Sequence, residues 1–227
     1  KNREYIPLGA DGKPDLECLE SIDVPLFNDQ LVELLAGREV ELPLYSFKTK
    51  RRLEQGVRLR VDGDQVLVVE GIHGLNSALS EEIPSELKYR VYVSALTQLN
   101  LDGHNRIRTT DVRLLRRMVR DARTRHTDVT ATMAMWDSVR AGEEKYIFPY
   151  QEKADVMFNS SLLYEIAVLK KYAYPMLKSI PQDSPYYTRS RRLVKFLNYF
   201  KDCGDESEIP PTSILREFIG GCTFYDE

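Results

Sequence analysis

Cysteine is scarce in this sequence, and its scarcity argues against two small-domain architectures. Cys18, Cys203 and Cys222 are the only cysteines in 227 residues. None belongs to the CxxC spacing that predicts a zinc cage or a redox pair. A sparse, odd count is typical of a reducing compartment rather than of a disulfide-built secreted domain. We therefore expect a cytoplasmic protein that needs no disulfide staples.

Long apolar runs and an excess of one charge are also missing. The longest apolar run, residues 66–69, is far shorter than the roughly 18 residues that span a bilayer. The 32 Lys and Arg residues oppose 35 Asp and Glu residues, for a net charge of −3. The short apolar run argues against a membrane partner. The charge balance argues against a protein-wide basic field for nucleic acid, but it leaves a local basic patch open.

Residues 65–71, Gln-Val-Leu-Val-Val-Glu-Gly, form the most informative stretch that is present. Four consecutive aliphatic residues predict a strand buried on both faces, as in a parallel sheet. Glu70 would then lie at the carboxyl end of that strand, where ligands of α/β sheets gather. Two further buried strands are predicted at residues 89–93 and 154–158.

Shorter patterns complete the prediction. A helix is predicted over residues 26–36, and Pro43 limits residues 40–47 to an edge strand. Strict alternation predicts a half-exposed strand at residues 57–61. The predicted C-terminal helices lie near residues 161–177, 186–201 and 212–219.

A basic helix is predicted over residues 110–125. One face is apolar, and much of the remainder carries arginine: Arg113, Arg116, Arg117, Arg120 and Arg123. Arginines at helical spacing can surround phosphate oxygens, and a strand-end carboxylate such as Glu70 can hold Mg²⁺ through water. The combination is typical of phosphoryl transfer, which depends on cations and positioning. The alternative is a solvated helix face and an ordinary strand end.

Four stretches occur in a fixed order: Tyr45-Ser46-Phe47, Val68-Val69-Glu70-Gly71-Ile72, the arginine segment 113–121 with Arg125, and Lys153-Ala154-Asp155-Val156. Together they resemble the uridine kinase and phosphoribulokinase family of P-loop kinases. Residues 94–100 and 214–221 resemble a bacterial branch of uridine-kinase-like proteins. In that branch the kinase domain often follows a region similar to part of threonyl-tRNA synthetase.

The resemblance implies an α/β fold, a three-layer P-loop kinase-like sandwich with a mostly parallel sheet. A β-hairpin from about residue 40 to residue 61 would flank the pocket, and a lid would lie near residues 106–128. Residues 1–178 would form the kinase domain. Residues 179–227 would be a helical extension packed on the same domain.

The resemblance also assigns roles to individual residues. Glu70 would be a catalytic acid near Mg²⁺ and the phosphates, and the cofactors would be ATP and Mg²⁺. Arg117, Arg120 and Arg125 would form the lid over ATP, with Arg120 as a catalytic residue. Substrate-binding positions would be Asp23, Tyr45 and Lys50.

Some positions depart from the family pattern. Lys50 stands where uridine kinases have a histidine, and Arg125-His126-Thr127 stands where their lid has Arg-Gly-Arg. A pocket that loses its hydrogen-bonding partners loses discrimination. We therefore do not expect uridine itself to be the substrate.

The phosphate loop of the family, G-x-x-x-x-G-K-[ST], has no match in these residues, because Gly12-Lys13 is followed by Pro14. That loop supplies the amide cradle, the phosphate lysine and the Mg²⁺ hydroxyl. We expect the protein to extend before Lys1, and the 227 residues alone to be inactive.

The leading functional hypothesis is ATP-dependent phosphorylation of a hydroxyl on a nucleoside or a related sugar-like molecule. One alternative is an RNA-binding or regulatory module that uses the arginine helix, and its affinity would fall steeply with salt. Another is a degenerate kinase domain kept for assembly. The expected partners are the acceptor and ATP, while RNA and a homo-oligomer stay open.

Overall fold

A computed structural model describes residues 1–9, 12, 14–46, 49 and 51–224. The chain divides into two compact units that alternate along the sequence. The first unit comprises Lys1–Tyr92 and Val139–Met157, and the second comprises Val93–Ser138 and Phe158–Glu227. Among the described residues, no helix has the length and apolar character needed to cross a membrane.

The secondary structure is a mixture of helices and short strands. The α-helices are α1 (Val24–Leu35), α2 (Thr109–Thr124), α3 (Val129–Tyr146), α4 (Glu165–Lys178), α5 (Tyr187–Leu197) and α6 (Leu215–Ile219). The strands are β1 (Val40–Leu42), β2 (Tyr45–Ser46), β3 (Arg51–Arg52), β4 (Val57–Leu59), β5 (Val91–Ser94) and β6 (Val156–Asn159). Short 3₁₀ turns lie at Arg3–Tyr5, Leu19–Ser21, Ser77–Ser80, Ser85–Leu87 and Phe148–Lys153.

Helix α1 confirms the helix predicted at residues 26–36, with slightly earlier ends. Pro25 lies in its first turn, where a missing amide donor costs nothing, and Gly37 follows its end with a φ of 74°. Asn28 is buried inside the helix, and its Nδ2 donates to Leu79 O at 3.0 Å. This bond ties α1 to the turn at Ser77–Ser80.

Two small antiparallel pairs confirm the hairpin region predicted between residues 40 and 61. Strand β1 pairs with β4, and β2 pairs with β3, where Tyr45 lies opposite Arg52. Pro43 separates β1 from β2, so the predicted single edge strand is divided in two. Gly56 lies so close to Leu42 O that a side chain there would collide with the backbone.

Strands β5 and β6 form a parallel pair. Arg90 O accepts from Asp155 N at 2.9 Å at one end, and Ser94 O accepts from Ser160 N at 2.9 Å at the other. The predicted strands at residues 89–93 and 154–158 are therefore confirmed, each displaced by one or two residues. With the helices, this parallel pair confirms the α/β class. The predicted burial is wrong for both strands, because Tyr92 is the single buried residue of β5 and all four residues of β6 are exposed.

The strand predicted at residues 65–71 is wrong. Val66 is 87% exposed and Val68 is 84% exposed, and the segment contains no strand. A doubly buried strand needs partners for its backbone groups at both edges and cover on both faces. Within the described part of the chain, no other strand pairs with this segment. Local β-propensity alone does not supply these neighbours.

The second unit has a helical core. Its helix α2 confirms the basic helix predicted at residues 110–125. Helix α2 packs on α4 and α6, and α4 packs on α5. The innermost apolar side chains are fully buried: Val112, Leu115, Val168, Leu169, Ala173, Leu193, Leu197 and Leu215. Burying one such leucine contributes about 1.5–3 kcal/mol. The predicted C-terminal helices are confirmed with shorter bounds.

Candidate functional site

A cavity of about 300 Å³ lies beside Glu70 in the first unit. Its walls come from two stretches of the sequence, residues 16–27 and residues 69–79. The lining residues are Leu16, Ser21, Ile22, Phe27, Val69, Glu70, Gly71, Ile72, His73 and Leu79. A mostly apolar wall with a few polar groups is the general form of a small-molecule site.

Glu70 contributes an exposed carboxylate to this wall. Mg²⁺ typically takes one or two protein carboxylates and completes its shell with water and phosphate oxygens. Across the described ranges, no three His, Cys, Asp or Glu side chains cluster closely enough to hold a metal. The donor set therefore fits a water-mediated magnesium contact at Glu70, and it does not fit an all-protein metal cage.

Asp23 occupies the N-cap position of α1 without capping it through its side chain. An N-cap aspartate usually accepts from the amide of the second or third helical residue, but Pro25 has no such donor. The helix instead starts with Phe27 N donating to Asp23 O at 2.9 Å. Because Ser21 and Ile22 line the cavity, the structure brings Glu70 and the segment leading to Asp23 to one site.

Of the two other predicted substrate residues, Tyr45 does not line this cavity. Tyr45 lies in β2 opposite Arg52, is 36% exposed, and is not among the cavity-lining residues. Lys50 falls outside the described residues. Their roles in substrate binding remain predictions.

His73 lines the cavity, although sequence reasoning did not select it. It is 2% exposed, and its Nε2 lies 2.9 Å from Glu17 O. Its ring meets the Tyr146 ring edge-on at 5.4 Å, and the Tyr146 hydroxyl donates to Asp15 Oδ2 at 3.0 Å. Burial raises the pKa of Tyr146, which keeps its hydroxyl a donor. The sequence feature that could have identified His73 as a cavity residue is its position three residues after Glu70.

Two of the predicted lid arginines share one buried carboxylate in the second unit. Arg117 Nε lies 3.2 Å from Asp121 Oδ2, and Arg125 Nη1 lies 3.1 Å from Asp121 Oδ1. The i,i+4 spacing places both arginines beside this acid. The Asp121 side chain is 1% exposed, and the Thr132 hydroxyl donates to it at 3.3 Å.

Arg120, the third predicted lid arginine, pairs with a different helix of the second unit. Its Nη1 donates to Glu217 Oε1 of α6 at 2.9 Å. The two side chains are 30% and 36% exposed, so the pair lies at the surface of the unit. The Arg120 side chain is thus partly accessible while it is paired with Glu217.

Arg116 does not fit the alternative of a solvated helix face. It is 8% exposed, and its Nε donates to Glu165 Oε2 at 2.8 Å. Its Nη2 donates to Ser160 O at 2.7 Å, and its guanidinium lies 5.2 Å from the centre of the Phe218 ring. Burial forces each guanidinium donor to find a partner, so this arginine stabilises the helical core.

Comparison with known proteins places these features in a family context. The model of the "Phosphoribulokinase / Uridine kinase family" matches residues 15–167. A uridine kinase of Bacillus pumilus is 25% identical over 158 residues, which cover 69% of this chain and 67% of the relative. Uridine kinases of Yersinia enterocolitica and Yersinia pestis are each 27% identical over 158 residues, covering 69% of this chain and 66% of theirs.

The chain therefore spans about two thirds of the length of the curated relatives it matches. The region matched by the family model contains all the predicted site positions and ends within α4. Helices α5 and α6 lie beyond it.

Proposed function

This chain belongs to the phosphoribulokinase and uridine kinase family, and on that premise we propose that the protein is an ATP-dependent kinase. Its acceptor is a hydroxyl on a nucleoside or a related sugar-like molecule. The observation that carries this proposal is the cavity of about 300 Å³ beside Glu70, with Ser21 and Ile22 on its wall.

On the acceptor side, the cavity excludes water from an apolar face of the substrate through residues such as Ile22 and Phe27. The Asp23 carboxylate, which makes no helix cap, accepts hydrogen bonds from sugar hydroxyls. Glu70 is the residue that would hold Mg²⁺ through water. ATP, when bound with Mg²⁺, supplies the phosphoryl group.

On the phosphate side, the lid arginines stabilise charge on the phosphate oxygens. Arg117, Arg120 and Arg125 contribute three positive charges, and their partners Asp121 and Glu217 contribute two negative charges. These five side chains keep an excess of one positive charge. Fixed cations around the transferred group lower the barrier of phosphoryl transfer, which needs little covalent chemistry from the protein.

The RNA-binding alternative has weaker physical support. Arg116, one of the arginines of α2, is buried and so is not available to a phosphate backbone. RNA binding that weakens steeply with salt, alongside the absence of phosphoryl transfer, would favour this alternative.

The test is a phosphoryl-transfer assay on the product of the complete reading frame that encodes these residues, with ATP, Mg²⁺ and a panel of nucleosides and sugars. We expect transfer to at least one acceptor. Glu70→Gln should lower kcat about 100-fold, the usual size for one lost electrostatic contact at the transferred group. Its melting temperature should stay unchanged because Glu70 is exposed.

Glu86→Gln is the matched control, because Glu86 is also an exposed acid of the first unit. It should retain wild-type activity. No transfer across the panel, or full activity of the Glu70→Gln enzyme, would contradict the proposed function.

A further inference from the structure

Helix α6 contacts the arginine helix although it lies beyond the region matched by the family model. Leu215 is 0% exposed and Phe218 is 5% exposed, so α6 is anchored in the core of the second unit. Arg123 of α2 secures it further, since its Nη2 donates to Glu217 O at 2.9 Å. The backbone that carries the Glu217 side chain is therefore held in place.

The Glu217 side chain in turn holds Arg120. The Glu217 carboxylate accepts from Arg120 Nη1 at 2.9 Å. Arg120 Nε is buried and has no hydrogen-bond partner among the described residues. Because Nε contributes no hydrogen bond, the contact with Glu217 is what orients this guanidinium within the described part of the chain.

We propose that Glu217 is a positioning residue that fixes Arg120 for recognition of a phosphate group. The inference rests on the proposed phosphoryl transfer. A free arginine side chain loses rotamer freedom when it binds, and that loss weakens the complex. An arginine already oriented by a carboxylate from an anchored helix loses less, so it binds phosphate more tightly.

A carboxylate beside an arginine could instead compete with phosphate. The charges of the cluster argue for positioning, because Asp121 and Glu217 leave one of the three arginine charges uncompensated. Arg120 also keeps 30% of its side chain exposed. The Arg120–Glu217 pair is itself neutral, and the positive field for an anion comes from Arg117 and Arg125, which share the single carboxylate of Asp121.

The first experiment compares Glu217→Gln with the control Glu208→Gln, an exposed acid outside α6. Glu217→Gln should raise the KM for ATP about tenfold, the size expected when a charged hydrogen bond no longer orients a binding group. The control should keep the wild-type KM. Both melting temperatures should match the wild type, because partly exposed ion pairs contribute little stability. A lower KM in Glu217→Gln would mean that the carboxylate competes, and would overturn the inference.

The second experiment tests whether Glu217 acts through Arg120. Arg120→Gln is combined with Glu217→Gln in a double-mutant cycle. If Glu217 only positions Arg120, its substitution should have no further effect on KM once Arg120 is replaced. If the effects of the two substitutions on the free energy derived from KM simply add in the double variant, the inference is overturned.

Calorimetric titration of the same four proteins with tripolyphosphate separates this inference from the proposed function. If the wild type transfers no phosphoryl group, the proposed function fails. The inference still stands if Glu217→Gln weakens tripolyphosphate binding about tenfold and the effect disappears with Arg120→Gln. Equal affinities in all four proteins, or no tripolyphosphate binding at all, would overturn it.

Discussion

At the residue scale, a polar contact before α6 gives the protein a site with a defined pH response. The Tyr172 hydroxyl donates to Glu206 Oε2 at 2.7 Å, and Lys171 Nζ lies 3.0 Å from Glu206 Oε1. Burial and the Glu206 contact raise the pKa of Tyr172 to about 12. The hydroxyl therefore remains a donor throughout the neutral range.

Glu206 should make the stability of the protein depend on pH. Burial alone would raise its pKa, but the bonds from Tyr172 and Lys171 outweigh burial and lower it. A carboxylate whose pKa is lower in the folded state contributes stability above its unfolded pKa, about 4.3, and loses it as pH falls through the folded value. Glu206→Gln should therefore lower the melting temperature at pH 7, and the difference from wild type should shrink towards pH 3.

Thermal denaturation at pH 7 and pH 3 measures this effect, with Glu208→Gln as an exposed control. A difference between Glu206→Gln and wild type that stays constant over this range would contradict the assignment.

Sequence patterns located the arginines of α2 but could not assign their partners. The predicted apolar face of α2 is confirmed, because Leu115, Met118 and Val119 are all buried. Arg116 and Arg120 look alike in the sequence. Their different environments depend on acids 49 and 97 residues away, which no local pattern identifies.

At the element scale, residues 66–70 should exchange their amide hydrogens rapidly. Val66 and Val68 are almost fully exposed, and no strand in the described structure pairs with them. Amides without stable hydrogen bonds open at almost no free-energy cost, whereas buried helices approach the global unfolding limit. Exchange measured by mass spectrometry should be fast at residues 66–70 and slow in α2. Equal protection in the two segments would mean that a paired strand forms.

Comparing the predicted elements with those of the structure shows where element prediction succeeds. Helices α1 and α2 follow from apolar periodicity and end signals such as Pro25 and Gly37, which are local. Strands β5 and β6 follow from short apolar runs. Their burial could not be predicted, because it depends on which elements cover them. The cavity depends on the approach of residues 16–27 to residues 69–79, and only the polar end of one stretch, Glu70, was recognisable beforehand.

At the scale of the whole molecule, the C-terminal helices belong to the core of the second unit. Leu193, Leu197 and Leu215 are each 0% exposed. Removing residues 179–227 takes away all three, and at about 1.5–3 kcal/mol each this loss rivals a typical total stability of about 5–15 kcal/mol. The chain 1–178 should therefore lose cooperative thermal unfolding.

Circular dichroism during heating measures that loss, and a chain shortened only by residues 225–227 controls for truncation itself. A cooperative transition of the 1–178 chain at the wild-type temperature would contradict an integral role for the extension. It would instead favour residues 179–227 as a dispensable addition to the proposed kinase domain.

The alternation of the two units along the sequence has a consequence for synthesis on the ribosome. The first unit uses Tyr146 to bind Asp15, and Lys153 Nζ lies 3.3 Å from Ser77 Oγ. A nascent chain that has released only residues 1–138 therefore lacks these contacts, so its first unit cannot reach its final form. That unit must wait while the intervening segment is translated, and its apolar surface is then open to chaperones during the delay.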